Sequence, residues 1–488
     1  MSTTTTNNNT EKSKSLPGPR GLPLLGNILD LGGEALHVNL SQLAQKYGDV
    51  YQIRIGSRPV VVLNGMETIR QALVKQSTDF AGRPDFMSSQ VMKEINGGSM
   101  TFSDYSPGWK LHRKIGETAL RHFTSGQQSS SVQDKVLLEV QELIETWTNN
   151  NKGSTVVDPS LMLKLSVSNI MCSYIFSRRH KLDDARLRDF AAMSDDFGAA
   201  ASSGNTMDFM PWLKYLPTKT MQNFRRLLQN FKDWFGGYMQ QHLENYQENS
   251  EKDIMDYLIT MGNKMDPVEL EQLHLTREML QTTVYDLFGA GFDTVSAVLT
   301  WALLLMILHP DIQRDIQEEI DAVIGVDRLP QLSDRGKLPL TEACLHEVLR
   351  YSSVVPFTIP HTTTRDTHLN GYPIPKDTVI FINLYSINQD TTVWQNPEEF
   401  NPRRFLTADG GSVDPERTAS VMPFGAGRRR CLGSELGRVE MFLYFTTLMQ
   451  KCSLEISNGD RPSTKSSNGL TQRPLPYQMR IKLRKHDA

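Results

Sequence analysis

Hydrophobic and polar positions divide the chain into two strand-like regions and a long helical middle. Residues 50–56 (VYQIRIG) and 59–65 (PVVVLNG) are rich in β-branched residues and predict a pair of strands. From there to about residue 350, apolar residues recur at helical spacing with charged residues between them, as in IQRDIQEEIDAVI. The strand pattern returns between Asn370 and Asn388. The pattern predicts a mainly α fold with small β-sheets.

Three further stretches bear on domain organisation. The apolar run Ala297–Leu308 has 12 residues, whereas a membrane-spanning helix needs ~20, so it predicts a helix buried on all sides. Residues 1–15 are polar and of low complexity, and we expect them to be disordered. Residues 16–27 contain three prolines and predict a stiff, extended hinge. No flexible linker or repeat follows, so we expect residues 16–488 to form one domain.

Charge and cysteine content exclude several classes of function. The formal net charge is −3, from 52 basic and 55 acidic residues, so no overall positive field indicates nucleic-acid binding. Four cysteines lie far apart without C-x-x-C spacing, which argues against a disulfide framework and against an all-cysteine zinc site. They are Cys172, Cys344, Cys431 and Cys452.

One of these cysteines stands in a loop of unusual composition. Residues 423–433 (PFGAGRRRCLG) lead into the predicted helix ELGRVEMFLYFTTLMQ, so Cys431 lies just before a helix N-terminus, where N–H groups and the dipole stabilise a thiolate. A lone cysteine is usually a small buried apolar residue. Here three arginines add positive charge, and glycines let the backbone pass close to a flat group. We therefore expect a thiolate that binds haem iron. These neighbours are Arg428, Arg429, Arg430, Gly425, Gly427 and Gly433.

The loop resembles the haem-binding signature of the cytochromes P-450. Every fixed position of that signature is matched, by Phe424, Gly427, Arg429, Cys431 and Gly433. The resemblance implies the P-450 fold, in which haem b lies between a long central helix and the cysteine loop. It also implies that Cys431 is the axial iron ligand and that Arg429 lies near a haem propionate. The implied activity is insertion of one oxygen atom from O₂ into a hydrophobic substrate.

A second motif agrees with this assignment. Glu347 and Arg350 are three residues apart in HEVLRY and share a helix face; such a pair alone is usually solvent-exposed and contributes under about 1 kcal/mol. The later segment FNPRRF resembles the family segment whose arginine, here Arg404, completes a buried triad with them. The resemblance implies a structural triad that supports the cysteine loop.

A third motif, AGFDT at residues 290–294, places an acid beside a hydroxyl. Small Ala290 and Gly291 would let the helix approach haem and leave room for O₂, although a glycine inside a helix costs about 1 kcal/mol relative to alanine. Proton delivery during oxygen activation needs a relay such as Asp293 and Thr294. Alone, this pair would be an exposed acid and a core filler, but the family resemblance implies the acid–alcohol pair of oxygen activation.

Other matches concern the haem propionates and the substrate. The resemblance implies that Trp109, Arg113 and His361 contact a propionate, although alone they would be ordinary packing or capping residues. Segments such as GAGFDT, RFLTADG and DFMPWLKYLP are similar to animal family 1, which oxidises planar aromatic compounds. Flat stacking between aromatic faces selects planar ligands. The implied substrate residues are Phe102, Phe197, Gly289, Phe292, Val355, Ile359, Leu470 and Thr471.

The implied partners follow from what the chain carries. We find no Gly-rich dinucleotide motif, so electrons are expected from NADPH through NADPH–cytochrome P-450 reductase. The family's apolar N-terminal anchor is not found in this sequence. We expect a monomer at the cytosolic face of the endoplasmic reticulum if the native protein has the usual anchor, and otherwise a soluble protein or one with peripheral membrane contact.

Two other functions remain open at this point. One is a haem-thiolate isomerase or a peroxide-using enzyme that needs no reductase, which the presence of Asp293 and Thr294 argues against. The other is a non-catalytic haem protein that senses a ligand or gas, in which a proton relay would have no purpose.

Overall fold

A computed structural model describes residues 15–484 except 33–34, 125–128, 149–153, 203–205, 211–218 and 468. The chain is 56% helical with small sheets, so the predicted fold class is confirmed. The predicted disorder of residues 1–15 lies outside the described part apart from Ser15, and most of the DFMPWLKYLP segment does so as well.

Helices account for most of the described chain, and several begin at a proline that follows a capping residue. The Asp158 side chain, for example, accepts a hydrogen bond of 2.8 Å from the Ser160 N–H, next to Pro159. The α-helices are α1 Leu36–Tyr47, α2 Met66–Arg70, α3 Met87–Asn96, α4 Pro107–Thr124, α5 Ser129–Thr148, α6 Pro159–Ile175, α7 Ala185–Ser202, α8 Thr206–Phe209, α9 Lys219–Asn245, α10 Ile254–Lys264, α11 Pro267–Gln272, α12 Arg277–Gln281, α13 Thr283–Leu308, α14 Pro310–Val323, α15 Pro339–Ser352, α16 Tyr385–Asn388, α17 Pro415–Ala419 and α18 Ser434–Lys451.

The described strands form three small sheets. The first has the order β1–β2–β7–β4, with β2 and β7 parallel and the other pairs antiparallel. The second has the order β3–β9–β8, and the third pairs β5 with β6. The strands are β1 Val50–Ile55, β2 Arg58–Leu63, β3 Ser154–Val157, β4 His361–Thr362, β5 Thr367–Leu369, β6 Tyr372–Ile374, β7 Val379–Ile382, β8 Cys452–Ile456 and β9 Met479–Leu483.

Both predicted strand regions contain strands, but the second does not end as predicted. The strands that lie outside the predicted regions are β3, β4, β5, β8 and β9. The predicted pair at 50–56 and 59–65 corresponds to β1 and β2. The stretch Asn370–Asn388 contains β6 and β7, but it ends in the short helix α16 instead of a strand. Beside β1, the predicted hinge at residues 16–27 is held by hydrogen bonds from Gln52 N to Pro17 O (2.8 Å) and from Asn27 N to Arg54 O (2.5 Å). Residues 22–26 are not extended as predicted but form a tight turn, in which the Leu22 and Gly26 N–H groups donate to each other's carbonyls at 2.8 and 2.9 Å.

Contacts within the chain define two compact units. The smaller unit comprises Met1–Pro84, Phe357–Ser386 and Ala426–Arg429, and the larger one comprises the rest. The single domain expected for residues 16–488 stays a prediction.

Helix α13 lies at the centre of the larger unit's core. Residues Ala297–Ile307 are all buried, as the apolar pattern predicts. The stretch Arg277–Leu308 is long and apolar enough to cross a membrane, but 78% of its most apolar window is buried inside the fold. Helix α6 packs closely on α13 at Gly291, where an added Cβ would lie 2.6 Å from the Met171 sulfur. This glycine therefore serves helix packing.

Candidate active site

Cys431 lies in a tight loop immediately before α18. Its N–H donates to the Phe424 carbonyl at 2.8 Å, and it is the exposed member of the four free cysteines. Helix α4 holds the preceding residue, because the Arg113 guanidinium donates to the Arg430 carbonyl at 2.6 Å. Glu117, one turn further along α4, lies 3.7 Å from the Arg430 guanidinium. The loop is therefore fixed to α4 on the side that carries the sulfur.

The charge of the Cys431 thiol is governed by two opposing influences. Burial raises its pKa, while the Gly433 N–H and the positive charge of Arg113 act to lower it, and the net direction is upward. The sequence suggested that the arginines before the cysteine would supply the positive charge. Instead, Arg428 and Arg430 are exposed, and Arg113 from α4 is the cation that acts on the sulfur.

The glycines of the loop have different roles. Gly427 has a φ of +69°, and an added Cβ would lie 1.7 Å from the Leu73 carbonyl oxygen, so only glycine fits there. At Gly425 and Gly433 an added Cβ would meet nothing within 4 Å. The sequence suggested that all three glycines admit a flat group. In the structure, Gly427 is packed against the backbone of Leu73, and of the three glycines only Gly425 and Gly433 face open space.

Within the smaller unit, His361 and Arg429 both contact the backbone of residues 80–81. His361 Nδ1 lies 2.5 Å from the Phe80 carbonyl, and Arg429 Nε donates to the Ala81 carbonyl at 2.9 Å. Burial, with the charges of Arg83 and Arg429, holds the pKa of His361 well below its usual range, so the ring is neutral. A neutral ring that donates from Nδ1 offers only a lone pair at Nε2. The propionate contact predicted for His361 stays a prediction.

Trp109 and Arg113 share a face of α4, as their spacing predicts. The Arg113 guanidinium lies 5.7 Å from the Trp109 ring centre, and the indole N–H donates to the Met100 carbonyl at 2.8 Å. Because an indole has one N–H, a haem propionate would have to share it with Met100. The propionate contacts predicted for both residues stay predictions.

Helix α13 has one open side among its buried turns. Gly289 and Ala290 are exposed, and a Cβ added at Gly289 would meet nothing within 4 Å. One turn further on, the Thr294 hydroxyl donates to the Ala290 carbonyl at 2.8 Å. The sequence suggested Ala290 and Gly291 as the open positions. The structure places the opening at Gly289 and Ala290, because Gly291 is taken up by the contact with α6.

Asp293 is turned towards the loop that precedes β9. Its Oδ1 accepts a hydrogen bond of 2.6 Å from Arg473. Burial raises the pKa of Asp293, but the charge of Arg473, the polar side chains of Thr471 and Arg473 and the charge of Lys164 outweigh it, so the net direction is downward. Asp293 is therefore an ionised carboxylate in an ion pair that the sequence did not predict.

The structure brings Glu347, Arg350 and Arg404 together. Arg350 donates to both Glu347 oxygens at 2.7 and 2.8 Å, and Arg404 Nε donates to one of them at 3.1 Å. Arg350 and Glu347 are fully buried. The other bonds of the two arginines go to carbonyls of residues 388–399. The triad thus organises the segment ahead of the cysteine loop, and its side-chain hydrogen bonds to other described residues go to residues 388–401 rather than to the loop itself.

The aromatic residues predicted to line the substrate slot differ in exposure. Phe102 and Phe197 are half-buried and pack against one apolar cluster, in which Phe197 stacks on Phe224 with ring centres 6.1 Å apart. Phe292 is 1% exposed and packs against Phe190 at 5.2 Å and Phe288 at 5.6 Å. In this conformation, Phe292 offers no open face. Among the remaining residues predicted to contact substrate, Val355, Ile359 and Thr471 are half-buried, and Leu470 and Gly289 are exposed.

Asp286 was missed by the sequence reasoning. Its carboxylate accepts bonds of 2.7 Å from the Ser99 hydroxyl, 2.7 Å from the Met100 N–H and 3.4 Å from the Thr101 N–H. It therefore fixes the segment that carries Phe102 to α13. The available signal was an acid in an apolar helical run, seven residues before Asp293, where burial requires a partner.

The sequence comparisons identify the family. A profile described as Cytochrome P450 matches residues 16–481. The chain belongs to the cytochrome P450 family. Among its relatives, it is 40% identical over 480 residues to Cytochrome P450 1A1 of Limanda limanda, covering 97% of this chain and 92% of that one. It is 41% identical over 464 residues to Cytochrome P450 1A1 of Rattus norvegicus and 40% identical over 466 residues to Cytochrome P450 1A5 of Gallus gallus, each covering 94% of this chain and 88% of the relative.

Family membership confirms several of the expectations above. This cytochrome P450 is a haem-thiolate monooxygenase that uses haem b, O₂ and electrons derived from NADPH through a reductase. Its similarity to animal family 1 is likewise confirmed. The residues of the larger unit fit haem, because an accessible cysteine sulfur and an α13 surface opened by Gly289 and Ala290 are both present.

Proposed function

We propose that this cytochrome P450 inserts one oxygen atom from O₂ into a planar aromatic or steroid-like substrate, using electrons from NADPH–cytochrome P450 reductase. The observation that carries the proposal is the accessible Cys431 sulfur, held by α4 in a loop that matches the family signature. Its similarity to relatives named Cytochrome P450 1A supports a xenobiotic or steroid substrate.

In this proposal Cys431 would hold the haem iron, and Ala290 on α13 would lie against the haem. When bound there, haem b supplies the activation of O₂. Arg113 has a positioning role, because its bond to the Arg430 carbonyl sets the backbone next to the sulfur. The accessible face of Ala290 supports close approach of a flat group. The roles of His361 and Arg429 at a propionate stay predictions.

Thr294 and Asp293 are proposed to deliver protons. The Thr294 hydroxyl donates to the Ala290 carbonyl, which leaves its oxygen lone pairs available to accept a hydrogen bond at the open side of α13. Asp293 is the next residue and carries a negative charge stabilised by Arg473. An acid and a hydroxyl at adjacent positions can pass a proton through an intervening water. These features support an oxygenase over an isomerase or a gas sensor.

A preference for flat substrates is supported by the aromatic side chains. Phe102 and Phe197 are half-buried beside one apolar cluster, and Asp286 fixes the backbone that carries Phe102. Aromatic faces stack favourably on flat rings and exclude bulkier, branched molecules. Since Phe292 is enclosed by Phe190 and Phe288, we assign the stacking surface to Phe102 and Phe197.

The same proposal includes partner and location. Lys110 and Lys114 are exposed on α4, the helix that fixes the cysteine loop, and an acidic reductase would be attracted to them. Near the N-terminus, exposed leucines support reversible contact with the endoplasmic reticulum membrane by a monomer. They are Leu22, Leu24, Leu25 and Leu29, with Leu24 84% exposed.

The test is product analysis with a panel of planar aromatic compounds and steroids, incubated with O₂, NADPH and reductase. We expect oxygenated products from planar compounds, with one oxygen atom derived from ¹⁸O₂. Product formed from peroxide alone would instead indicate a peroxide-using enzyme. Rearranged product without added oxygen would indicate an isomerase, and NADPH consumption without any product would indicate a non-catalytic haem protein.

A further inference from the structure

Arg473 lies in the segment between β8 and β9, 180 residues from Asp293 in the sequence. Its Nη2 donates to three acceptors on α13, namely the Asp293 carboxylate at 2.6 Å, the Asp293 carbonyl at 3.0 Å and the Ser296 hydroxyl at 3.0 Å. One nitrogen therefore contacts both the side chain and the backbone of the acid. Such a contact fixes the direction of the carboxylate as well as its charge.

The backbone beside Arg473 is itself anchored. The Gln472 N–H donates to the Val354 carbonyl at 2.7 Å, and the Trp301 indole donates to the Gln472 carbonyl at 3.0 Å. Trp301 lies on α13, two turns beyond Asp293. The segment is thus fixed to the same helix that carries the acid, so the guanidinium has little freedom to leave it.

A second cation faces Asp293 from α6. Lys164 has a 5% exposed side chain, forms an ion pair with Asp195 of α7, and its charge helps to lower the pKa of Asp293. Burial and the charge of Arg473 lower the pKa of Lys164, while Asp195 and Asp293 act to raise it. Asp195 is 60% exposed, so this second pair reaches the surface. The groups that face Asp293 are therefore Arg473, Thr471 and Lys164, with Asp195 behind the lysine.

We infer that Arg473 is a positioning residue for oxygen activation, which holds Asp293 as an anion directed towards the segment before β9 and so sets the pH range in which Asp293 serves Thr294. The inference rests on the proposed proton role of Asp293 and Thr294. Arg473 would act through Asp293 alone. Its Nη1 is buried and has no hydrogen-bond partner among the described residues, so the guanidinium is not saturated by structural bonds.

The first test is Arg473→Gln, with coupling, the product formed per NADPH oxidised, measured from pH 5 to 9. Loss of a neighbouring cation raises a carboxyl pKa by about 1 to 3 units, so an acidic limb that lies below the measured range in the native protein should move up into that range in the variant. Arg473→Lys keeps a positive charge without the planar fork. It should return the coupling profile most of the way to its native position. Arg461→Gln removes the same charge from an exposed position of the same segment and should leave the profile unchanged.

The second test measures the thermal midpoint of the resting, haem-loaded protein against pH. In the native chain the lowered pKa of Asp293 contributes stability above the ordinary aspartate pKa of about 3.9, and this is lost as pH falls. In Arg473→Gln the carboxylate is left without its main partner. The variant should therefore be least stable relative to the native protein near pH 8, and the deficit should shrink on acidification. In an Asp293→Asn background the same substitution should show no pH-dependent deficit.

The outcomes separate the two claims. An unchanged coupling profile in Arg473→Gln, or a loss that is the same at every pH, would overturn the positioning role. If Asp293→Asn and Thr294→Ala also leave coupling unchanged, the proposed relay fails as well. Should Arg473→Gln not fold, the Asp293→Asn/Arg473→Gln double variant is tested, because it leaves no uncompensated charge. A double variant that also fails to fold would assign Arg473 to packing and refute the inference.

Discussion

Two arginine–carboxylate pairs in the larger unit differ in how fully the arginine is used. Arg350 donates to Glu347 through two nitrogens and to three carbonyl oxygens, and both side chains are fully buried. Arg473 contacts Asp293 and Ser296 through Nη2 alone, with 16% of its side chain exposed, and its Nη1 has no partner among the described residues. In the first pair, all three nitrogens of the arginine donate hydrogen bonds. In the second pair, one buried nitrogen of the arginine donates none to the described residues.

This difference in hydrogen bonding indicates a structural role for the Glu347 triad and a role in the reaction for the Asp293 pair. A fully satisfied buried ion pair rigidifies its surroundings, and removing one partner leaves an uncompensated charge. The triad accordingly binds the backbone of residues 388–401, where no reacting group is predicted. The Asp293 pair lies beside Thr294 at the open side of α13. We therefore expect changes in the triad to reduce stability, and changes around α13 to alter chemistry while the fold is kept.

The largest expected effect is that of Glu347→Ala. The buried Arg350 and the partly buried Arg404 would be left without their carboxylate, and breaking a buried pair in this way costs about 3 to 5 kcal/mol. Denaturant unfolding of the haem-loaded protein measures it. The control is Arg403→Met in the same segment, whose exposed pair with Asp315 should contribute less than about 1 kcal/mol. Equal losses of unfolding free energy in the two variants would show that the buried triad contributes no more to stability than an exposed ion pair.

Cys431→His should abolish monooxygenase activity with a small effect on folding. Histidine can still bind haem iron but cannot supply thiolate character. The reduced carbon monoxide adduct should lose its red-shifted Soret band, measured by difference spectroscopy. Cys452→Ala, at a buried cysteine in β8, should keep the band. A band that survives Cys431→His would show that another residue is the ligand.

Thr294→Ala should keep haem and substrate binding and divert electrons to hydrogen peroxide. We expect product per NADPH to fall by about 10²-fold, the lower end of the ~10²–10⁴-fold that a positioned proton donor typically contributes. Peroxide and product are quantified together. Thr300→Ala is the matched control, because the Thr300 hydroxyl makes the same type of bond to the carbonyl four residues earlier, at 2.7 Å, but is buried. Unchanged coupling in Thr294→Ala would remove the hydroxyl from the relay.

The smallest expected effect concerns the exposed side of α4. Lys110→Glu should slow reduction by the reductase severalfold at low salt and leave substrate affinity unchanged, because rim charges act mainly on association rates. The difference should disappear as the Debye length falls from about 10 Å towards 3 Å. Stopped-flow reduction measures this, with Lys264→Glu, exposed at the end of α10, as the control. Reduction that is independent of salt would contradict an electrostatic docking site.

The sequence predicted features that depend on short spacing or on a family signature. The cysteine loop, α18 after it and the helical pairing of Glu347 with Arg350 all follow from residues close together in the chain. Contacts between distant segments had no such signal. Arg473 gives no local indication that it meets Asp293, and Gly291 resembles an opening although the Met171 side chain fills the space. Periodicity identifies the buried face of a helix but does not identify the partner that covers it.

Asp286 has a consequence for how substrates are selected. The segment Ser99–Phe102 is already ordered, because Asp286 accepts the Met100 and Thr101 N–H groups, Ser99 accepts the Phe102 N–H at 3.2 Å, and the Met100 carbonyl accepts the Trp109 indole. A ligand that stacks on Phe102 does not have to supply the free energy of ordering this backbone. Binding entropy therefore favours rigid, flat molecules that match the segment as it stands, and flexible molecules that require it to rearrange would lose the hydrogen bonds that hold it.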